Sequence, residues 1–123
     1  MGTRCVVSFE QKGNPTFHIY KHFDGYPENI IPLIADALGI SWILPRYEND
    51  EFSASFVATT KAGCGGIRLT TGPSAHGDLE FVYKVKQSSD QKLRVTAYEI
   101  DWGDRLNKIK VAAINSKKEI VYE

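Results

Sequence analysis

The chain has 123 residues, 42% hydrophobic and 24% charged, which is one domain's worth of ordinary globular composition. Lys plus Arg equals Asp plus Glu at 15 each, so the formal net charge is zero and no long nucleic acid is expected as a partner. No apolar run approaches the roughly 18 residues of a membrane span, and a core of this size folds without a metal or a disulfide.

"RCVVSFE" (4–10) reads as a strand, Gly13-Asn14-Pro15 as the turn after it, and "TFHIYKHF" (16–23) as a second strand that closes a hairpin. Pro27 stands where a helix starts and Gly39 where it ends, with Ile30, Ile31, Ile34, Ala37 and Leu38 at helical spacing between them. Pro32 is tolerated only in a first turn, which places the helix start near Asn29 or Ile30. A second helix is predicted over 50–63, capped by Asn49 or Asp50, with Phe52 and Phe56 at i,i+4 and Gly63 as the stop.

"GCGGIRLTTGPSAHGD" (63–78) then reads as a long loop, with five glycines and one proline in sixteen residues. Strands follow at 79–86, 92–100, 107–114 and 118–123, with Leu79, Phe81, Tyr83 and Val85 sharing one face of the first. The predicted fold is a single α+β domain over 1–123, in the order ββααβββ(β). Its sheet is mainly antiparallel, with five to six strands and the two helices on one face.

The chemistry concentrates at "HFDGYP" and in the glycine-rich loop. On the second strand His18, Tyr20, His22 and Asp24 line one side, and Phe17, Ile19, Lys21 and Phe23 the other. His18 and His22 are about 13 Å apart along it, too far for one ion, whereas His22 and Asp24 are about 6.6 Å apart. His76-Gly77-Asp78 repeats the theme, so His22, Asp24, His76 and Asp78 form a mixed N/O metal set if the segments are neighbours. The alternative for the first segment is a stiff corner, with Asp24 capping, Gly25 at positive φ and Pro27 opening the helix.

In the loop, glycine amides, Arg68 and the Thr70 and Thr71 hydroxyls suit a phosphate or pyrophosphate, against a reading as simple flexibility. Arg105, in the turn after Trp102, is a second candidate for an anion, and Phe81, Tyr83, Tyr98 and Trp102 are candidates to stack on a base, against a reading as core. Cys5 and Cys64 make no metal or redox spacing, have no basic neighbour in sequence, and read as free thiols. No serine sits in a nucleophile elbow, so binding is favoured over catalysis, with no cofactor.

"IYKHFDGYPENIIPLI" (19–34) resembles a pattern of small phage and prophage proteins in which a strand ends in His-x-Asp-Gly-Tyr-Pro and a helix follows. "HGDLEFVYKV" (76–85) is similar to the second half of that pattern. In size and layout the chain also resembles the Thoeris anti-defence sponges of phages, small sheets with two helices that oligomerise and sequester glycocyclic ADP-ribose signals without cleaving them. The resemblance implies a cytoplasmic homo-oligomer, in the host if viral, that captures a cyclic nucleotide. Arg68, Thr70 and Arg105 would meet phosphate or ribose and Phe81 or Tyr83 the base, while His22, Asp24 and Tyr26 shape the corner. Two alternatives stay open: a metal-dependent phosphoesterase built on the His/Asp pairs, and a phage inhibitor that binds a host protein.

Overall fold

A computed structural model describes residues 3–61 and 66–123; Gly63, Cys64 and Gly65 of the predicted loop lie outside them. In chain order the elements are β1 (Cys5–Phe9), β2 (Phe17–Lys21), α1 (Pro27–Ala37), α2 (Asn49–Lys61) and β3 (Ile67–Thr70). After a 3-10 turn at Pro73–Ala75 come β4 (Phe81–Ser89), β5 (Lys92–Ile100), β6 (Leu106–Asn115) and β7 (Ile120–Tyr122). The seven strands form one sheet in the order β3-β2-β1-β4-β5-β6-β7. Every neighbouring pair is antiparallel except β1 and β4, which run parallel. The fold is α+β as expected, with one strand more, because β3 lies inside the segment read as a loop.

Both helices cover the same face of the sheet. Ile30, Ile31 and Ile34 of α1 and Phe52 and Phe56 of α2 pack on Val7, Phe9, Ile19, Tyr83 and Val95. Phe9 is the pivot: its ring lies 5.8 Å from Phe52 and 5.4 Å from Phe56, so the i,i+4 aromatic pair straddles it. A smaller cluster of Val6, Tyr20, Leu79 and Val82, with Ile100 against it, sits on the other face. Leu79 therefore precedes β4 and leaves the side shared by Phe81, Tyr83 and Val85.

α1 begins at Pro27, earlier than the sequence predicts, with Tyr26 as the N-cap residue and Pro32 inside the helix. The corner before it divides its work differently from expectation. Asp24, not Gly25, takes the left-handed backbone, with φ 54°. No side chain caps α1, and it is the Asp24 carbonyl that is used, accepting a 2.7 Å hydrogen bond from Asn29 Nδ2. Gly25 is required by close approach: a Cβ there would stand 2.8 Å from the Thr3 carbonyl oxygen and 2.9 Å from Cys5 Cβ. Its amide donates to the Thr3 carbonyl at 2.9 Å, and its own carbonyl accepts from the buried Tyr83 hydroxyl.

Asn49, expected as a cap, is instead the first residue of α2 and ties it to the hairpin. It is buried, and its Nδ2 donates to the Phe9 and Pro15 carbonyls at 2.9 and 2.7 Å while Gln11 Oε1 accepts from its amide at 3.0 Å. The start of α2 is thereby pinned to the β1–β2 turn.

Candidate functional site

The face of the sheet turned away from the helices collects the side chains of interest. Strand register sets them in rows, since residues two apart on a strand share a face. Arg68, Tyr20, Val6, Val82, Tyr98 and Lys108 are successive partners across six strands. The next row runs Thr70, His18, Ser8, Lys84 and Thr96. The segment from Thr71 to Glu80 returns over this open face from the edge strand β3 to the central strand β4, and lays His76 flat on Tyr20 with ring centroids 4.3 Å apart.

All three histidines of the chain lie on this face, and each faces a hydroxyl at 2.7 Å. Ser8 Oγ meets His18 Nδ1, the Tyr20 hydroxyl meets His22 Nδ1, and Thr70 Oγ1 meets His76 Nε2. The stack of His76 on Tyr20 joins the second pair to the third. Burial lowers the His18 pKa below its ordinary 6.5, more than nearby Glu10 raises it.

Ser8 and His18 have the spacing of a nucleophile and its base. Ser8 is nevertheless only 3% exposed in the middle of β1, so a substrate carbonyl or phosphorus has no approach to its oxygen. The Cys5 thiol is buried among core residues, and desolvation pushes it up to about 12, which keeps it neutral.

A cavity of about 450 Å³ borders His76, between the returning segment and the β5–β6 end of the sheet. Ser74, His76 and Asp104 give it polar walls, and Pro73, Ile100 and Leu106 apolar ones. Its size lies in the range of small-molecule sites, about 300–1,000 Å³. A second hollow of about 330 Å³ lies at the β2–β3 edge, where His18, Thr70 and Thr71 meet Phe17 and Leu69. A third, of about 540 Å³, is at the ends of β1 and β4, between Glu10, Lys12, Lys86 and Tyr47.

The candidates from the sequence are partly brought together. Arg68, Thr70, His22 and His76 gather on the open face beside Tyr20, with Arg68 exposed opposite it. Phe81 and Tyr83 are on the covered face, 7% and 0% exposed, with the Tyr83 hydroxyl committed to Gly25. Neither offers a face to a base. Tyr26 is half exposed, its ring 5.9 Å from that of Phe81. Arg105 is held within the β5–β6 turn by Asp101, Nε to Oδ2 at 3.1 Å. The same carboxylate accepts from Asn107 Nδ2 and from the Gly103 and Arg105 amides, which hold its pKa below the usual value.

The proposed metal set does not assemble. Asp24 is an exposed corner residue, and Asp78 pairs with Arg4 at 3.1 Å. His22 and His76 are engaged by Tyr20 and Thr70. Among the described residues no group of three or more His, Cys, Asp and Glu is placed to hold an ion.

The sequence reading missed Tyr20 and Ser8 as hydroxyl partners, and Ile100 and Leu106 as cavity walls. Strand alternation marked Tyr20 as sharing a side with the histidines, but nothing local says which strands lie beside it. Comparison with protein-family models, with curated proteins and with solved structures returns no match to the chain. Among the described residues no helix is long and apolar enough to cross a membrane.

Proposed function

We propose that this protein captures a cyclic nucleotide signal of the glycocyclic ADP-ribose class on the open face of its sheet and holds it intact. The observation that carries the reading is the continuous run from Arg68 through Thr70 to His76 and the 450 Å³ cavity that His76 borders. Arg68 and Thr70 are two apart on β3, about 6.6 Å along the strand, a spacing that suits the hydroxyls and bridging oxygens of a ribose phosphate. Ile100, Leu106 and Pro73 supply an apolar wall for the base, with His76 and Ser74 to orient it. Phe81, Tyr83 and Arg105 drop out of the ligand set, and His22 supports it through Tyr20.

Capture without cleavage follows from the same chemistry. Among the described residues the serine that faces an imidazole, Ser8, is buried within the sheet, and Arg68 and Thr70 are donors suited to anions and hydroxyls. The reading includes the phage setting implied by the His-x-Asp-Gly-Tyr-Pro pattern, the anti-defence role implied by the sponge-like layout, and assembly as a homo-oligomer, which zero net charge does not oppose.

The test is retention. The purified protein is incubated with cyclic ADP-ribose isomers and cyclic di- and trinucleotides, separated from free ligand and heat-denatured, and the released material is weighed by mass spectrometry. One intact nucleotide is expected from the wild type and at least tenfold less from Arg68→Ala. Release of a linear product would make the protein an enzyme, and no retained nucleotide would leave the host-protein inhibitor as the better reading.

A further inference from the structure

The open face has a second half, over β4, β5 and β6, that the reading above leaves unused. Lys84 and Lys86 are two apart on β4, Arg94 is the cross-strand partner of Lys86, and Lys108 is the partner of Tyr98. Alternation and register put all four on the side of Ser8 and Tyr98, away from the helices. Lys86, Arg94, Thr96, Tyr98 and Lys108, with Glu123, line one shallow depression of about 300 Å³.

This arrangement is not one that folding alone favours. Lys86 directly opposite Arg94 is a like-charge cross-strand pair, which destabilises an antiparallel ladder. Compensation inside the molecule is thin. Glu123 reaches Arg94 only at 3.9 Å, both side chains being nearly half exposed, and Glu10 lines the neighbouring cavity with Lys86. Lys84 Nζ lies 5.2 Å from the centre of the Tyr98 ring, which is one wall of the depression. Among the described residues Lys84, Lys86 and Lys108 have no carboxylate within ion-pair distance, and the Thr96 and Tyr98 hydroxyls donate to no protein acceptor.

Meanwhile the segment from 24 to 61, which forms the helical layer, carries six carboxylates against Arg46 and Lys61. The helix-bearing segment is thus net acidic, while Lys84, Lys86, Arg94 and Lys108 stand together on the opposite face. A local conflict that the fold tolerates without internal relief marks a place where the relief comes from outside.

We infer that the depression over Thr96 and Tyr98 is a pyrophosphate subsite, in which Lys84, Lys86, Arg94 and Lys108 neutralise a diphosphate while the two hydroxyls donate to its oxygens. Lys108 is two residues from Leu106, a wall of the cavity beside His76, so the depression adjoins that cavity on β6. The inference rests on the nucleotide reading for the identity of the ligand, but the subsite itself recognises the diphosphate.

Inorganic pyrophosphate is the probe, titrated into the wild-type protein by calorimetry at low and at moderate salt. Saturable one-site binding is expected, weakening as salt screens the charges, together with a rise in the thermal midpoint. Lys86→Glu with Arg94→Glu is expected to weaken binding at least tenfold, while Lys61→Ala, exposed in α2 on the other side of the sheet, leaves it within twofold. Should the double variant fail to fold, Lys86→Thr is the milder probe, because threonine suits a strand. It is expected to raise the thermal midpoint without pyrophosphate, by removing the like-charge pair, and to weaken pyrophosphate binding.

No saturable uptake by the folded wild type, or uptake undiminished in these variants, overturns the subsite. Pyrophosphate bound by wild type and lost in the variants, with no nucleotide retained, upholds the subsite and overturns the capture reading. Nucleotide retained through Arg68 but indifferent to the charge reversals overturns the subsite and leaves capture standing.

Discussion

Asn49 shows how much one side chain of ordinary type can carry. Its amide group gives one proton to the carbonyl that ends β1 and another to the Pro15 carbonyl before β2, in a position 1% exposed. Asn49→Asp keeps the shape and removes both donors, facing a carboxylate against two carbonyl oxygens. A loss of about 2–4 kcal/mol is expected, since each buried acceptor left without a donor costs roughly 1–3 kcal/mol. Urea unfolding measures it, and a loss below about 1 kcal/mol would show that the turn and helix hold together without this clamp. That an asparagine stands at the start of α2 was legible in the sequence, though as an expected cap. The clamp was not, because its acceptors lie 34 and 40 residues away. At the corner the same limit exchanged two roles: Asp24 and Gly25 were both recognisable as turn formers, but only the proximity of Thr3 and Cys5 makes the second a glycine.

At the scale of elements, β3 is what the sequence concealed. Ile-Arg-Leu-Thr is short, glycine-flanked and on the sheet edge, with Leu69 84% exposed, so it lacks the buried alternation that identifies a strand. Pairing with β2 makes it one, and with it come the Thr70–His18 neighbours and the hydroxyl–imidazole row. That row has a pH signature. Burial lowers the His18 pKa in the folded state, so the native protein binds this proton less readily than the unfolded chain. Its contribution to stability is therefore present above the ordinary histidine value of 6.5 and is lost as pH falls below it. Urea midpoints measured between about pH 7 and pH 5 should decline, with a shallower decline in His18→Gln. An unchanged slope would mean that the Ser8–His18 contact is equally satisfied by the charged ring.

For the whole molecule, the capture reading assigns stability and binding to different faces of the sheet. Tyr83 is fully buried on the covered face and donates to the Gly25 carbonyl, tying the central strand β4 to the corner before α1. Tyr83→Phe is expected to cost about 1–2 kcal/mol, the price of a buried carbonyl without its donor. Retention of nucleotide and of pyrophosphate per folded molecule should be unchanged. Arg68→Ala should do the reverse, sparing the unfolding midpoint while retention falls, because its side chain is exposed on the open face. If Tyr83→Phe abolished retention in a folded protein, the two faces would be coupled.

By itself the sequence determined the class of fold, the helices, the hairpin and the meander, because hydrophobic period and turn residues are local signals that survive in one dimension. It also marked Arg68, Thr70, His22 and His76 as candidates for chemistry, beside bland readings as flexible loop and turn. Only the tertiary structure decided which of them meet. A parallel pairing of β1 with β4 and an edge pairing of β3 with β2 set the rows across the sheet, and both join segments far apart in the chain. The same packing turned Phe81 and Tyr83 inward, closed Ser8, and set Lys84, Lys86, Arg94 and Lys108 together on one face of a chain of zero net charge. Charge balance is a sum, and a sum does not record on which side of a sheet each charge stands.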